Sequence, residues 1–295
     1  MTLRQVCQTF WLWLTGPVNP LPLALFRILF GIILVLNGIL LYDDLDMWFA
    51  TGGIFPLSSA RSMIGSNRLN VFLWLGDSPQ IVAVVYWAYM LASVLLTIGL
   101  FSQRMSLVVF IALASFSHRN IYILHSGDTF LRVMSFLMIF APSGAALSIE
   151  SKIRGYPLKS INPAALRAMQ FQVCVLYAAA VVFKLKGAAW LNGSAVYIVQ
   201  QLTEFQHFPV PGFMRTPFMS KVQTWGTLVI EGAFPILVWF RDSRLPVIAG
   251  LVILHLGIEY SMNIQLFEWT LMSSMALFLT PSEVRRILWA NQSAR

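Results

Sequence analysis

Eight largely apolar runs, most of them close to the length of a bilayer crossing, set what this chain can fold into. They lie at about Leu21–Leu41, Ile81–Phe101, Met105–Ser117, Phe130–Leu147, Ala164–Phe183, Thr224–Phe240, Leu245–Tyr260 and Leu266–Thr280. A helix needs about 20 mostly apolar residues to cross the hydrocarbon core. The third run is short enough to start or end re-entrantly. Only 11% of residues are charged and 58% are hydrophobic, against roughly 25% charged in soluble domains. The expected fold is therefore an all-α integral membrane protein. It is a polytopic bundle of about eight transmembrane helices with outer-side interfacial helices. At 295 residues the chain accommodates one such domain, 1–295, with no separate soluble domain.

Residues Leu3 to Leu14 read as a short amphipathic helix on the interface, anchored by Trp11 and Trp13. A cleaved signal peptide is not expected: Phe10 to Leu14 is too short for an h-region, and no A-x-A site precedes the first long run. Cys7 and Cys174 are far apart and outside any CxxC or zinc spacing, so both read as free thiols.

With eight spans and both termini cytoplasmic, 11 Lys and Arg fall on the cytoplasmic side and seven outside, with Arg27 and Arg132 inside spans. That bias follows the positive-inside rule. The net charge of +8 is then mainly a topology signal. No basic stripe with interleaved aromatics exists, which excludes nucleic acid as a partner. Two outer segments, about Tyr42–Gln80 and Lys184–Lys221, are long and punctuated by Gly52, Gly53, Pro56, Pro209, Pro211 and Pro217. Long connections of this kind carry function, and these are expected to cap the bundle as interfacial helices.

Ionisable groups gather at the outer ends of the runs: His118, Arg119, His125, Asp128, Lys184, Lys186, His255 and Glu259. Such groups generally face a bundle interior or a water-filled cavity, so an outward-opening pocket is the expected site. Lys184 ends the apolar run from Ala164 to Phe183. A lysine there must snorkel, pair or release its proton, and in the last case it is a base. Lys186, one step further out, reads as an anchor. Arg119 and Asp128 read either as a salt bridge closing the third and fourth runs or as substrate-binding groups, and Asn120 as a helix cap. His255 is a lone histidine within a run, either hydrogen-bonded structure or a functional group. Glu231 and Arg27 lie within runs and require partners. No HExxH or comparable cluster is present, so no metal is expected. No GxSxG supports serine catalysis.

Several stretches carry a resemblance. They are Trp48-Phe49-Ala50-Thr51-Gly52-Gly53-Ile54-Phe55-Pro56; His118-Arg119-Asn120 followed by Gly127-Asp128 and Pro142; Lys184-Leu185 followed by Trp190 and Gly193; Glu231-Gly232-Ala233-Phe234-Pro235 followed by Arg241 and Arg244; and His255 followed by Asn263, Leu266, Phe267 and Trp269. As an ordered set, the chain resembles the horizontally transferred transmembrane (HTTM) domain family, related to the membrane domain of the vitamin K-dependent gamma-carboxylase. The resemblance implies a carboxylase- or lyase-like, quinol-oxidising membrane enzyme with vitamin K hydroquinone or another quinol as cofactor. It places Lys184 as the base. His255 is expected beside it as a catalytic group, with Arg119, Asn120, Asp128 and Trp190 binding substrate or cofactor. Membrane lipid and an exported peptide or protein are the expected partners, in a multi-pass location that is the inner membrane for a bacterial chain. Two other readings stay open: a non-redox factor that binds or matures an exported peptide, and a protein that handles lipids or small solutes.

Overall fold

The computed structural model of the chain describes residues 3–64, 68–264 and 266–289. Cys7 and Arg4 lie outside the residues whose side chains are described, and Arg295 lies outside the described residues; Cys174 is a buried free thiol. Among the described residues the regular structure is helical, with two isolated bridges, Val18 to Ile161 and Gln206 to Met262. The residues form two compact units: 1–169 with 279–295, and 170–278.

The main helices are α1 (Leu3–Thr15), α2 (Leu21–Leu41), α3 (Pro79–Ile98), α4 (Ser102–Arg119), α5 (Ser126–Ile139), α6 (Ala164–Lys184), α7 (Pro217–Leu237), α8 (Arg241–Ser261) and α9 (Phe267–Ser274). Four segments are long and apolar enough to cross a membrane: Leu21–Phe49, Pro79–Ile98, Ala164–Lys184 and Arg241–Ser261. The other four expected spans also fold as helices, but shorter or more polar ones. The fourth run stops at Ile139 instead of continuing to Leu147, because Pro142 disfavours helix at the residue before it and the chain turns through Ser143–Ala145. The eighth is α9 followed by a single 3-10 turn, Met275–Phe278.

In the first unit α3 packs against α2 and α4, and α4 against α5. Two glycines on one face of α2 set how closely α3 approaches. A Cβ at Gly31 would meet Thr97, and one at Gly38 would meet Met90 and Tyr89. Small residues allow this contact where no hydrophobic force drives helices together in lipid. The buried Tyr86 and Tyr89 then donate to the carbonyls of Gly38 (3.0 Å) and Leu34 (2.7 Å). The Arg167 guanidinium lies over the Trp13 ring, 4.0 Å from the centroid. Trp11 is exposed.

Arg27 also has a structural answer. It is fully buried on α2, and it donates to the carbonyls of Ser143 (2.8 Å), Ala146 (3.3 Å) and Leu147 (2.5 Å). These oxygens belong to the turn that follows Pro142 and have left the helical ladder. Glu150, after the same turn, accepts from the Ser102 backbone N–H (2.5 Å) and hydroxyl (2.9 Å) at the start of α4. One arginine and one glutamate thus tie the loop after α5 to α2 and α4.

The second unit contains most of α6, with α7, α8 and α9. α8 packs against both α7 and α9, and the short helix Ala195–Val199 packs on α7. The segment after α6 folds as short helices and 3-10 turns. Its later part is laced to the end of α8: Asn263 donates to Phe205 O (2.6 Å), and Phe208 to Tyr260 O (3.1 Å). This lacing holds the segment as a wall beside the helices.

Replacing Arg27 with Met strands three carbonyl oxygens. The expected loss is about 3 kcal/mol of unfolding free energy, read as a lowered melting temperature in detergent. An unchanged melt contradicts the role given to Arg27.

Candidate functional site

Three helix faces of the second unit converge. Tyr177, Ala180 and Lys184 stand on one face of α6, because residues three, four and seven apart align on a helix. Thr227 and Glu231, four apart, stand on α7, and His255 and Ile258 on α8. Together with Phe267, Glu268 and Leu271 of α9 they line a cavity of about 270 Å³. Trp190, Val196, Val199 and Gln200 close it from the segment after α6.

Lys184 and Glu231 form an ion pair, Nζ to Oε2. The glutamate side chain is buried and the lysine is about a fifth exposed, at 6% and 22%. The ammonium also lies 5.2 Å from the centroid of the Trp190 ring, a cation–π distance. Glu231 thereby has the partner that a carboxylate in an apolar helix requires. Lys186 takes a different course: it is exposed and lies 5.0 Å from the Phe183 ring centroid.

A second chain of polar groups lines the same cavity. The Tyr177 hydroxyl is 2.6 Å from His255 Nε2, and His255 Nδ1 bonds to Glu268 Oε2. All three side chains are buried. With Glu268 ionised, its carboxylate only accepts; Nδ1 would then donate to Glu268, and Nε2 would accept from the tyrosine. Phe234 packs edge-on against Tyr177 with ring centroids 5.0 Å apart, which fixes the phenol in place. Two acceptor atoms on the lining residues are buried without a partner: Glu268 Oε1 and Gln200 Oε1. The remaining walls are mostly aliphatic and aromatic.

Of the residues expected at the site, Lys184, His255 and Trp190 come together here. Arg119, Asn120 and Asp128 belong to the first unit and do not line this cavity. The expected Arg119–Asp128 bridge is replaced by another. Arg119, fully buried, donates to Asp77 Oδ2 at 2.7 Å, and Thr51 donates to the other oxygen of Asp77 at 2.6 Å. Asp128 instead accepts from the His125 backbone N–H at 2.9 Å as half of the capping box that starts α5. Asn120 caps its own turn, accepting from Tyr122 N (3.1 Å), and donates to Trp48 O (3.3 Å). His118 Nδ1 bonds to Leu69 O at 2.8 Å. His118, Arg119 and Asn120 fasten the segment between α2 and α3 to the end of α4.

Tyr177 and Glu268 were not singled out by sequence. Glu268 could have been found: it is an acid inside an expected span, and the demand for a partner that flags Glu231 applies to it equally. Tyr177 precedes Lys184 by seven residues, two helical turns, and so shares its face.

The family model for the HTTM domain matches residues 16–282, and the chain belongs to that family. With its four long apolar helices, it is a multi-pass membrane protein in contact with lipid. Neither a curated protein nor a solved structure matches the chain.

Removing one member of the Lys184–Glu231 pair leaves the other unpaired in a poorly solvated site. A double-mutant cycle of Lys184→Met and Glu231→Leu, followed by unfolding in detergent, is expected to give a coupling energy of about 2 kcal/mol. That figure is kept modest because the lysine is partly exposed. A coupling near zero contradicts the pairing.

Proposed function

We propose that this chain is a membrane enzyme of the carboxylase-related type, acting on a lipid-soluble quinol in the cavity of the second unit. Lys184 is the base. In this reading all eight apolar runs lie within the bilayer, both termini are cytoplasmic and the cavity opens to the outer side. The observation that carries the reading is an apolar cavity lined by two polar constellations, the partly exposed pair Lys184–Glu231 and the buried chain Tyr177–His255–Glu268. Perturbable ionisable groups gathered in a largely apolar pocket are the usual mark of a reactive site.

The residues fit a quinol head group. The cavity is close to the lower end of the roughly 300–1,000 Å³ range of ligand pockets, which suits a ring system whose apolar tail remains in lipid. Leu176, Val196, Val199 and Ile258 with Trp190 supply apolar walls. Glu268 Oε1 and Gln200 Oε1 are acceptors matched to hydroxyl donors. A bound quinol would supply two electrons to oxygen and, through that oxidation, a base stronger than any side chain.

The chain's own part is proton movement. Lys184 passes a proton from Nζ to Glu231 Oε2 and becomes a neutral amine. That amine then takes a proton from a substrate hydroxyl: the O–H bond breaks and an N–H bond forms. The resulting oxyanion lies beside an ammonium, while Glu231 is left neutral. The apolar walls exclude water and strengthen this attraction. An exported peptide or protein is the acceptor expected from the family resemblance.

Purified protein in detergent, given reduced vitamin K under oxygen, is expected to form the epoxide, detected by mass spectrometry. Lys184→Ala is expected to reduce the rate by at least about 100-fold. Lys184→Arg falls equally, because a guanidinium does not act as a neutral base. Folded wild-type protein without epoxide formation overturns this chemistry and favours a non-redox factor that binds an exported peptide.

A further inference from the structure

We infer that Tyr177, His255 and Glu268 form a second proton path into the cavity, separate from the Lys184–Glu231 pair, with the Tyr177 hydroxyl as the group that meets the substrate. The inference rests on the reading of this cavity as a site of acid–base chemistry and adds a second position at which a proton moves.

Three observations carry it. First, the three groups form a continuous chain from α6 through α8 to α9, and each of them also lines the cavity. A hydrogen bond made only to join helices has no need to open onto a cavity at every member. Second, Glu268 is fully buried, yet only one of its oxygens is engaged; Oε1 has no partner. Burying a carboxylate is expensive, and a carboxylate kept only for structure would be satisfied at both oxygens. Third, Tyr177 and Lys184 are seven residues apart on one helix face, about 10 Å along the axis. The cavity therefore presents two proton-handling groups at two different depths, which suits one ligand handled at two positions.

The step balances within the chain. Tyr177 Oη takes a proton from the substrate as its own proton passes to His255 Nε2. One substrate X–H bond and one phenolic O–H bond break; a new O–H and a new N–H bond form. The imidazolium so made keeps its Nδ1 proton directed at Glu268 Oε2, and the carboxylate balances its charge. Glu268 touches the ring rather than the reacting atoms, so it is a positioning residue. The other charged groups around the cavity are Lys184 and Glu231.

The test uses the full chain in detergent with nitrogen-15-labelled histidine, His255 being assigned by difference from His255→Gln. Wild type is expected to hold His255 with the proton on Nδ1 and Nε2 accepting. Glu268→Gln is expected to lose that tautomer preference. Tyr177→Phe is expected to keep it, while turnover of reduced vitamin K drops about 100-fold at unchanged KM and the solvent deuterium isotope effect disappears. Tyr177→Phe turning over at the wild-type rate overturns the path. So does a His255 tautomer that is the same with and without Glu268. If well-folded wild type neither binds nor converts reduced vitamin K, the quinol reading fails, and the tautomer comparison alone decides the path. Loss of the Nδ1 proton in Glu268→Gln then upholds it, and no change overturns it.

Discussion

The cost of an unpaired charge in an apolar interior governs this molecule. Ionisable groups are rare here, and those below are buried or partly buried and held by a partner. Arg27 is met by three carbonyl oxygens, Arg119 by Asp77, Lys184 by Glu231 and His255 by Glu268. In lipid no water comes to the rescue of an isolated charge. Each pairing therefore fixes where one segment sits against another. In the first unit these contacts act as fasteners: they secure the turn after α5 and the segment between α2 and α3. In the second unit they line a cavity, where the proposed chemistry draws on the same physics that makes them necessary.

That difference separates scaffold from site. Arg27 and Arg119 are fully buried, and their partners are backbone oxygens or a carboxylate anchored by Thr51. Neither arginine lines the cavity of the second unit. Lys184 differs in being partly exposed, paired with one oxygen of a carboxylate, and set beside an aromatic ring and open space. The arrangement around His255 has the same character: one ring nitrogen meets the Glu268 carboxylate and the other the Tyr177 hydroxyl.

Much of the scaffold was legible in the sequence. The run from Ala164 to Phe183 becomes a helix that ends on Lys184, and Leu21–Leu41 forms a helix with those same bounds. Hydrophobic length alone dictates these. The fourth run was overread because Pro142 halts a pattern that composition would continue. The site was legible in part. Lys184, Trp190 and His255 were found as ionisable or aromatic groups near the ends of apolar runs. Glu231 was singled out as an acid needing a partner, but the pairings were not read, because the contacts join residues far apart in sequence: 47 between Lys184 and Glu231, and 78 between Tyr177 and His255. No local periodicity encodes such a pairing. Arg119 and Asp128 illustrate the reverse error. Nearness in sequence suggested a bridge, while the chain supplied Asp77 from 42 residues away and used Asp128 to start a helix.

The central claim is that the cavity between α6, α7, α8 and α9 receives a lipid-soluble ring compound that donates hydrogen bonds. Photolabelling tests it most directly: the protein in detergent would be irradiated with a photoreactive quinol analogue and the labelled peptides mapped by mass spectrometry. The account predicts labels on Trp190, Val196, Val199 or Leu176, suppressed by excess unlabelled quinol. Labels confined to exposed outer faces, such as Val182 and Phe183, and indifferent to that competitor would contradict it.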